Sequence, residues 1–169
     1  MLDAIKNRRS VRVYRDTRVS EQQLEEVLKA GFCAPSGHAA KAWHVVVVRD
    51  QQVIDKLSGI HKWSKFLARV GLILVVCVDK DKQDLWIEDG SAFMQNMLIQ
   101  ATDMGLNTCW VMMREEDAAG VIHQVLGLPA NIAVVAGTPL GYGSRVPAAQ
   151  EPVLPADRVH FDKFSAPNH

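Results

Sequence analysis

Several features are missing from this chain, and each absence closes a class of function. There are only three cysteines, Cys33, Cys77 and Cys109, with neither a CxxC pair nor the spacing of a metal site. Their apolar or small-residue settings predict buried thiols and a reducing compartment, the cytoplasm. No uncharged apolar run approaches the length of a bilayer span, and the first residues lack the apolar stretch of a signal peptide. Neither charge sign is in excess: 19 Lys and Arg against 19 Asp and Glu give a formal net charge of zero. That removes the broad basic footprint of a nucleic-acid or anionic-membrane binder. A GxGxxG turn after a strand and a Walker A sequence are both lacking, so the two commonest phosphate-binding loops are excluded. There is no internal repeat, low-complexity tract or interdomain linker.

What remains is a chain of 169 residues, 48% hydrophobic, that fits a single domain over 1–169 with a substantial core. Ser20-Glu21-Gln22-Gln23 has the form of a capping box, and Leu24, Val27, Leu28 and Phe32 follow at helical spacing, which predicts a helix over 21–32 closed by Ala34-Pro35-Ser36-Gly37. The apolar runs 43–48, 72–78 and 132–136 read as central strands. Met94, Met97, Leu98, Ala101, Met104 and Gly105 form the stripe of a long helix over about 88–104. Its other face is also rather apolar, so it is expected to pass through the core or a subunit interface. Residues 108–113 read as one strand and 116–126 as a helix closed by Gly127 and Pro129. Helices interleaved with apolar strands indicate an α/β sandwich. Past Gly143 the Pro-rich tail, 144–169, is expected to be extended, in a form suited to wrapping a neighbour.

The densest chemistry lies in Arg8-Arg9-Ser10-Val11-Arg12, where three guanidinium groups and a hydroxyl fall within five residues. Arginine's planar fork matches phosphate oxygens bidentately and serine adds a donor, so the segment suits a small dianion. Among other residues, His38 and His44 flank the Pro35 loop as second-rank proton donors, since imidazole titrates near neutrality. His61, His123 and His160 are scattered and make no metal site. Asp89 falls in the first turn of the long helix, where an acidic residue complements the dipole. Ser36 has no evident Ser-His-Asp partners, which rejects hydrolase chemistry.

Four segments in order then carry a resemblance: Arg8 to Tyr14; Ala34-Pro35-Ser36-Gly37 with Trp43; Asp89 through Gln95-Asn96-Met97 to Gly105-Leu106-Asn107-Thr108-Cys109-Trp110; and Leu140-Gly141-Tyr142-Gly143. Together they resemble the FMN-dependent nitroreductase family over nearly the whole chain. The resemblance implies an α+β fold, a nitroreductase-like sandwich with a central mixed β-sheet flanked by helices. It implies a homodimer with FMN at its interface, and NADH or NADPH as reductant for a small-molecule electron acceptor. Mapped residue by residue, it assigns the FMN phosphate and ribityl chain to Arg8, Ser10 and Arg12, with Arg9 in the same segment and Arg158 or Arg145 as the late basic residue. It places Pro35, Ser36 and Gly37 in the loop beside the flavin ring, and Trp110, Val111 and Met112 along the flavin N5 side, where family members offer a backbone amide.

The sequence also departs from the family pattern Ala-Pro-Ser-x-x-Asn-x-Gln-Pro-Trp. Ala39, Lys41 and Ala42 stand where the Asn, Gln and Pro are usual. Lys41 is a candidate for a positive charge near the flavin's pyrimidine end, against the blander reading of a solvated loop lysine. Met112-Met113 replace the small residues frequent after the Cys-Trp strand, either to line an apolar pocket or to fill core. The leading expectation is an FMN-dependent NAD(P)H oxidoreductase acting on nitro, quinone or enone-type acceptors by alternating half-reactions. The alternative is a flavin-binding relative with little reductase activity, serving as sensor, carrier or regulator.

Overall fold

A computed structural model describes residues 1–114 and 116–164, with 116–118 described as backbone. Residues 165–169 of the expected tail lie outside the described residues. The chain runs α1 (Asp3–Asn7), α2 (Glu21–Phe32), β1 (Trp43–Val48), α3 (Gln51–Ser58), β2 (Ile73–Asp79), α4 (Trp86–Asp103), β3 (Asn107–Thr108), β4 (Val111–Met112), α5 (Glu116–Leu126) and β5 (Ile132–Gly141). The capping box forms: Gln23 N–H donates to Ser20 Oγ at 3.2 Å, and Ser20 N–H donates to Gln23 Oε1 at 3.1 Å.

The sheet order is β1-β2-β5, with β3 and β4 both along the far side of β5. These strands all pair antiparallel, where a mixed sheet was expected; the parallel bridge Ser10–Thr108 is an isolated contact outside them. Strand β2 is buried throughout, and its two faces serve two cores. Leu74, Val76 and Val78 pack with α2 and α4, while Ile73, Val75 and Cys77 pack with α3 and α5. The alternation of a strand's side chains thus builds the middle of a three-layer sandwich. Helix α4 passes through the first core, burying Phe93, Met94, Met97, Leu98 and Ala101 between α2 and the sheet. It ends in a Schellman turn: Gly105 sits at φ +73°, and the N–H of Leu106 returns to the carbonyl of Ala101 at 2.8 Å.

Two further expectations need correction. Residues 108–113 form no single strand. Asn107 and Thr108 face Gly141 and Leu140, and Val111 and Met112 face Gly137 and Ala136, so one register spans both strands and breaks only opposite Thr138 and Pro139. Pro139 has no N–H to give the ladder, and Thr138 Oγ1 takes the Cys109 N–H at 3.2 Å instead. Pro139 therefore interrupts the neighbouring strand and not its own, which runs on to Gly141. Cys77 and Cys109 are buried as expected, but Cys33 is exposed. It caps the C-terminus of α2, beyond the buried stripe Leu24, Val27 and Gly31.

Helix α4 and β5 approach so closely that a Cβ at Gly90 would lie 2.5 Å from Val135 Cγ2 and 3.0 Å from Cγ1. Valine is stiff at χ1 and cannot turn away. Gly90→Ala is expected to destabilise the protein despite the gain of about 1 kcal/mol that alanine brings to a helix, because overpacking costs about 1–3 kcal/mol. Gly137→Ala is expected to lose less, since the atoms it would meet, Met113 Cε and Sδ at 2.4 and 2.5 Å, end a flexible chain. Thermal denaturation of the two variants checks the order.

Candidate functional site

The Arg8–Arg12 segment leaves α1 extended and lies against β3. Ser10 bridges Thr108, and the Val11 N–H donates to the Thr108 carbonyl at 2.9 Å, which buries Val11 and turns its neighbours outward. Tyr14 fixes the far end, its hydroxyl donating to the Val11 carbonyl at 2.8 Å. Burial pushes the Tyr14 phenol well above its usual range, so it stays a neutral donor. The segment converges on Cys109. Burial raises that thiol, while the guanidinium of Arg12, a hydrogen bond with Ser10 and the guanidinium of Arg8 pull it back down. Arg12 and Cys109 share one cavity wall, with Arg8 and Ser10 near enough to bias the same thiol, and neither guanidinium has a carboxylate partner among the described residues.

Beside this cluster opens a cavity of about 810 Å³, lined by Arg12, His61, Lys62, Trp63, Phe66, Cys109, Trp110, Val111 and Met112. Its volume falls in the range of small-molecule and cofactor sites. The break in the ladder at Cys109 and Trp110 is what faces these two residues into it. Met112 is exposed there, whereas Met113 is fully buried and fills core against Gly137, so the two methionines divide the roles open to them. His61 joins the wall to β4: its Nε2 donates to the Met112 carbonyl at 2.8 Å, and its buried Nδ1 has no partner among the described residues. His61, Lys62, Trp63 and Phe66 were not singled out from sequence as wall residues. No motif announces them, because the turn that carries them meets β4 only in the fold.

The other expected residues lie elsewhere. The Arg9 guanidinium donates to the Ala148 carbonyl, and with the Gln150 N–H on the Lys6 carbonyl at 3.3 Å it ties the start of the tail to α1. Arg145 and Arg158 are exposed and do not line the cavity, and Arg158 pairs with Asp157 at 4.0 Å. Pro35, Ser36, Gly37 and Lys41 are absent from the cavity wall as well. They precede β1, which β2 and β5 separate from β4; three strand spacings make that about 14 Å.

That loop is nonetheless built with care. His38, Ala39 and Lys41 hold φ of 54°, 55° and 47°, left-handed values unfavourable for residues with a Cβ. Asp89 secures it. One carboxylate oxygen accepts from Gly37 N–H at 2.9 Å, and the other from Ser36 Oγ at 2.6 Å and Gln83 Nε2 at 2.7 Å. Ser36 Oγ in turn accepts the Lys41 N–H at 2.9 Å, and Trp43 Nε1 donates to the Asp89 carbonyl at 3.1 Å. Dipole complementarity understates this residue: a carboxylate that is only 4% exposed needs donors, and the loop supplies them. His38 and His44 are both exposed.

Comparison with known proteins shows the family. The family model for the nitroreductase family matches residues 5–64 and 61–142. An Archaeoglobus fulgidus protein named "Putative NADH dehydrogenase/NAD(P)H nitroreductase" is 33% identical over 174 residues, covering 96% of this chain and 98% of that protein. A Methanothermobacter thermautotrophicus protein of the same name is 30% identical over 168 residues, covering 97% of this chain and 87% of its own. The solved structure of an FMN-dependent nitroreductase from Clostridium difficile superimposes with a TM-score of 0.92 at 32% identity, over 97% of this chain and all of that one. A family-model match over 5–64 and 61–142, relatives matched over nearly their whole length and a superposition with a TM-score of 0.92 leave one assignment: the chain belongs to the nitroreductase family.

Proposed function

We infer that this protein is an FMN-dependent NAD(P)H oxidoreductase that reduces small nitro, quinone or enone-type acceptors by alternating half-reactions. The observation that carries the reading is the placement of Arg8, Ser10 and Arg12 beside Cys109 at the edge of the cavity, with neither guanidinium paired to a carboxylate among the described residues. This donor set fits the FMN phosphate, a dianion that two guanidinium groups and a hydroxyl can neutralise in place. Cys109, raised by burial, stays a neutral thiol beside them and adds no competing negative charge. Bound FMN supplies the electron transfer from NADH or NADPH to the acceptor. The chain's own residues bind and orient. Val111, nearly buried, and the half-buried Trp110 exclude water from one wall, and the bond from His61 to the Met112 carbonyl holds that wall in place. The cavity admits reductant and acceptor in turn.

We read the chain as one domain whose working unit is a homodimer, in the reducing cytoplasm that three free thiols suit. Two observations support the dimer. The Ser36 loop and the cavity occupy opposite sides of one chain's sheet, so a site using both needs two chains. The tail exposes Val153, Leu154, Phe161 and Phe164, each at 80% or more, a cost in water that a partner surface removes. Sedimentation at low micromolar concentration is expected to show a dimer, and a stable folded monomer would contradict it.

The absorbance of freshly purified protein tests the function. A flavin spectrum that bleaches under NADH or NADPH without oxygen and returns on adding a quinone is the expected result. A yellow protein that neither nucleotide bleaches would point to the flavin-binding relative without reductase activity. A colourless protein that takes up no added FMN would overturn the cofactor assignment.

A further inference from the structure

We propose that Lys62 and Trp63 form an acceptor-selecting site at the mouth of the cavity, built for a planar aromatic acceptor that carries an acidic group. The proposal rests on the reductase reading above and adds the class of acceptor.

The charges of the wall are one-sided. Arg12 and Lys62 line the cavity, and no lining residue is acidic among those described. With Arg12 directed to the phosphate, Lys62 is a second cation with no assigned anion, and it has no carboxylate partner among the described residues. Its Nζ instead lies 4.9 Å from the centroid of the Trp63 ring. Trp63 is 74% exposed, an indole left in water next to a cavity.

The pair stands on a rigid turn. Ser64 is fully buried, its hydroxyl donating to the His61 carbonyl at 2.7 Å and accepting the His61 N–H at 3.2 Å, while the His61 ring is fixed to the Met112 carbonyl. Lys62 and Trp63 are therefore presented from a turn pinned at both ends and tied to β4. A site held on fixed backbone loses little entropy when a ligand arrives.

The cation on the indole face acts as a selective cover. An ammonium over an exposed ring is a weak contact in water and exchanges readily. An aromatic acid can replace both halves at once, its ring taking the indole face and its anionic group taking the ammonium, so each keeps a partner. A neutral aromatic must displace the cation and offers it nothing in return. Phe66, Trp110 and Met112 extend the apolar surface on which such a ring would lie.

The test uses the full-length, flavin-loaded protein. Specificity constants are measured for 1,4-naphthoquinone-2-sulfonate and for neutral 1,4-naphthoquinone, and equilibrium binding by calorimetry for the non-reducible pair 2-naphthoate and 2-naphthamide. Lys62→Gln is expected to lower the acid-to-neutral ratio about fivefold in both assays, as loss of one solvent-exposed charge contact would. High salt should lower the wild-type ratio in the same direction, Lys62→Arg should retain most of it, and Trp63→Ala should weaken both members of each pair. An unchanged ratio in Lys62→Gln overturns the proposal. So does a change confined to NADPH over NADH, which would give the ammonium to a nucleotide phosphate. If naphthoate binding follows Lys62 while neither quinone is reduced, the site stands and the reductase reading fails.

Discussion

Arg12→Ala is expected to weaken FMN binding by about 1.5–3 kcal/mol, roughly 10- to 100-fold in the dissociation constant, the range for hydrogen bonds to charged groups. The expectation follows from a guanidinium that reaches the Cys109 region, lines the cavity and has no carboxylate partner among the described residues. Arg8→Ala should do likewise, and the double variant should lose less than the sum because both groups act on one anion. Arg12→Lys should recover only part of the loss, since a point charge cannot reproduce the bidentate fork. The fold adds a control that the sequence could not supply. Arg9 is engaged by the Ala148 carbonyl, so Arg9→Ala should cost less flavin affinity than either neighbour and should loosen the start of the tail instead. Fluorescence titration at fixed salt, with far-ultraviolet circular dichroism of each apoprotein, separates the cases. Wild-type affinity in Arg12→Ala would remove the phosphate assignment, and loss of helical signal would make the residue structural.

The largest stability effect is expected from Asp89→Ala. This buried carboxylate accepts from Ser36, Gly37 and Gln83 at 2.6–2.9 Å, and removing it strands three donors, one of them from the buried Gln83. At about 1–3 kcal/mol for each buried group left unpaired, the loss should reach about 3 kcal/mol or more. For a domain of this size that lowers Tm by roughly 6–12 °C. Asp89→Asn keeps one acceptor oxygen and should lose less. A second readout is local. Without Asp89 the left-handed conformations of His38, Ala39 and Lys41, unfavourable by about 1–2 kcal/mol each, lose their carboxylate anchor and keep only the Gln83 bond to the Gly37 carbonyl and bonds within the loop. Limited proteolysis should then cut within 37–41 well below the melting temperature. An unchanged Tm with an uncut loop would show that the loop is held by something other than this carboxylate.

Much of the fold was legible because periodicity reports burial. The stripe of α4 and the runs of β1 and β2 appear in sequence nearly as they appear in the structure, since a buried face must be apolar wherever it falls, whereas the run of β5 reads only to Ala136 and the strand continues to Gly141. The start of α2 was legible for a related reason, since Ser20 and Gln23 carry its capping geometry in their side chains, whereas Gly105, which reads as part of the α4 stripe, closes that helix at φ +73°. The break between β3 and β4 was not legible, because its cause, Pro139, lies some thirty residues away and acts across the ladder. Cys33 was misplaced because local composition does not tell the last turn of a helix from the residue beyond it.

For the site, the sequence by itself determined the chemistry on offer: a phosphate-matched Arg8-Arg9-Ser10-Val11-Arg12 in a chain with no net charge, and a four-segment order that marks the family. Side-chain type sets what a residue can bind, and that is written locally. Only the tertiary structure decided which of these groups meet. It gathered Arg8, Ser10 and Arg12 around Cys109 and turned Arg9 to the tail. It made Asp89 the anchor of the Ser36 loop, and it raised the cavity wall from His61, Lys62, Trp63 and Phe66, a turn with no motif of its own. Proximity between residues 50 or 100 positions apart is fixed by strand order and packing of the whole chain, and no local pattern encodes it.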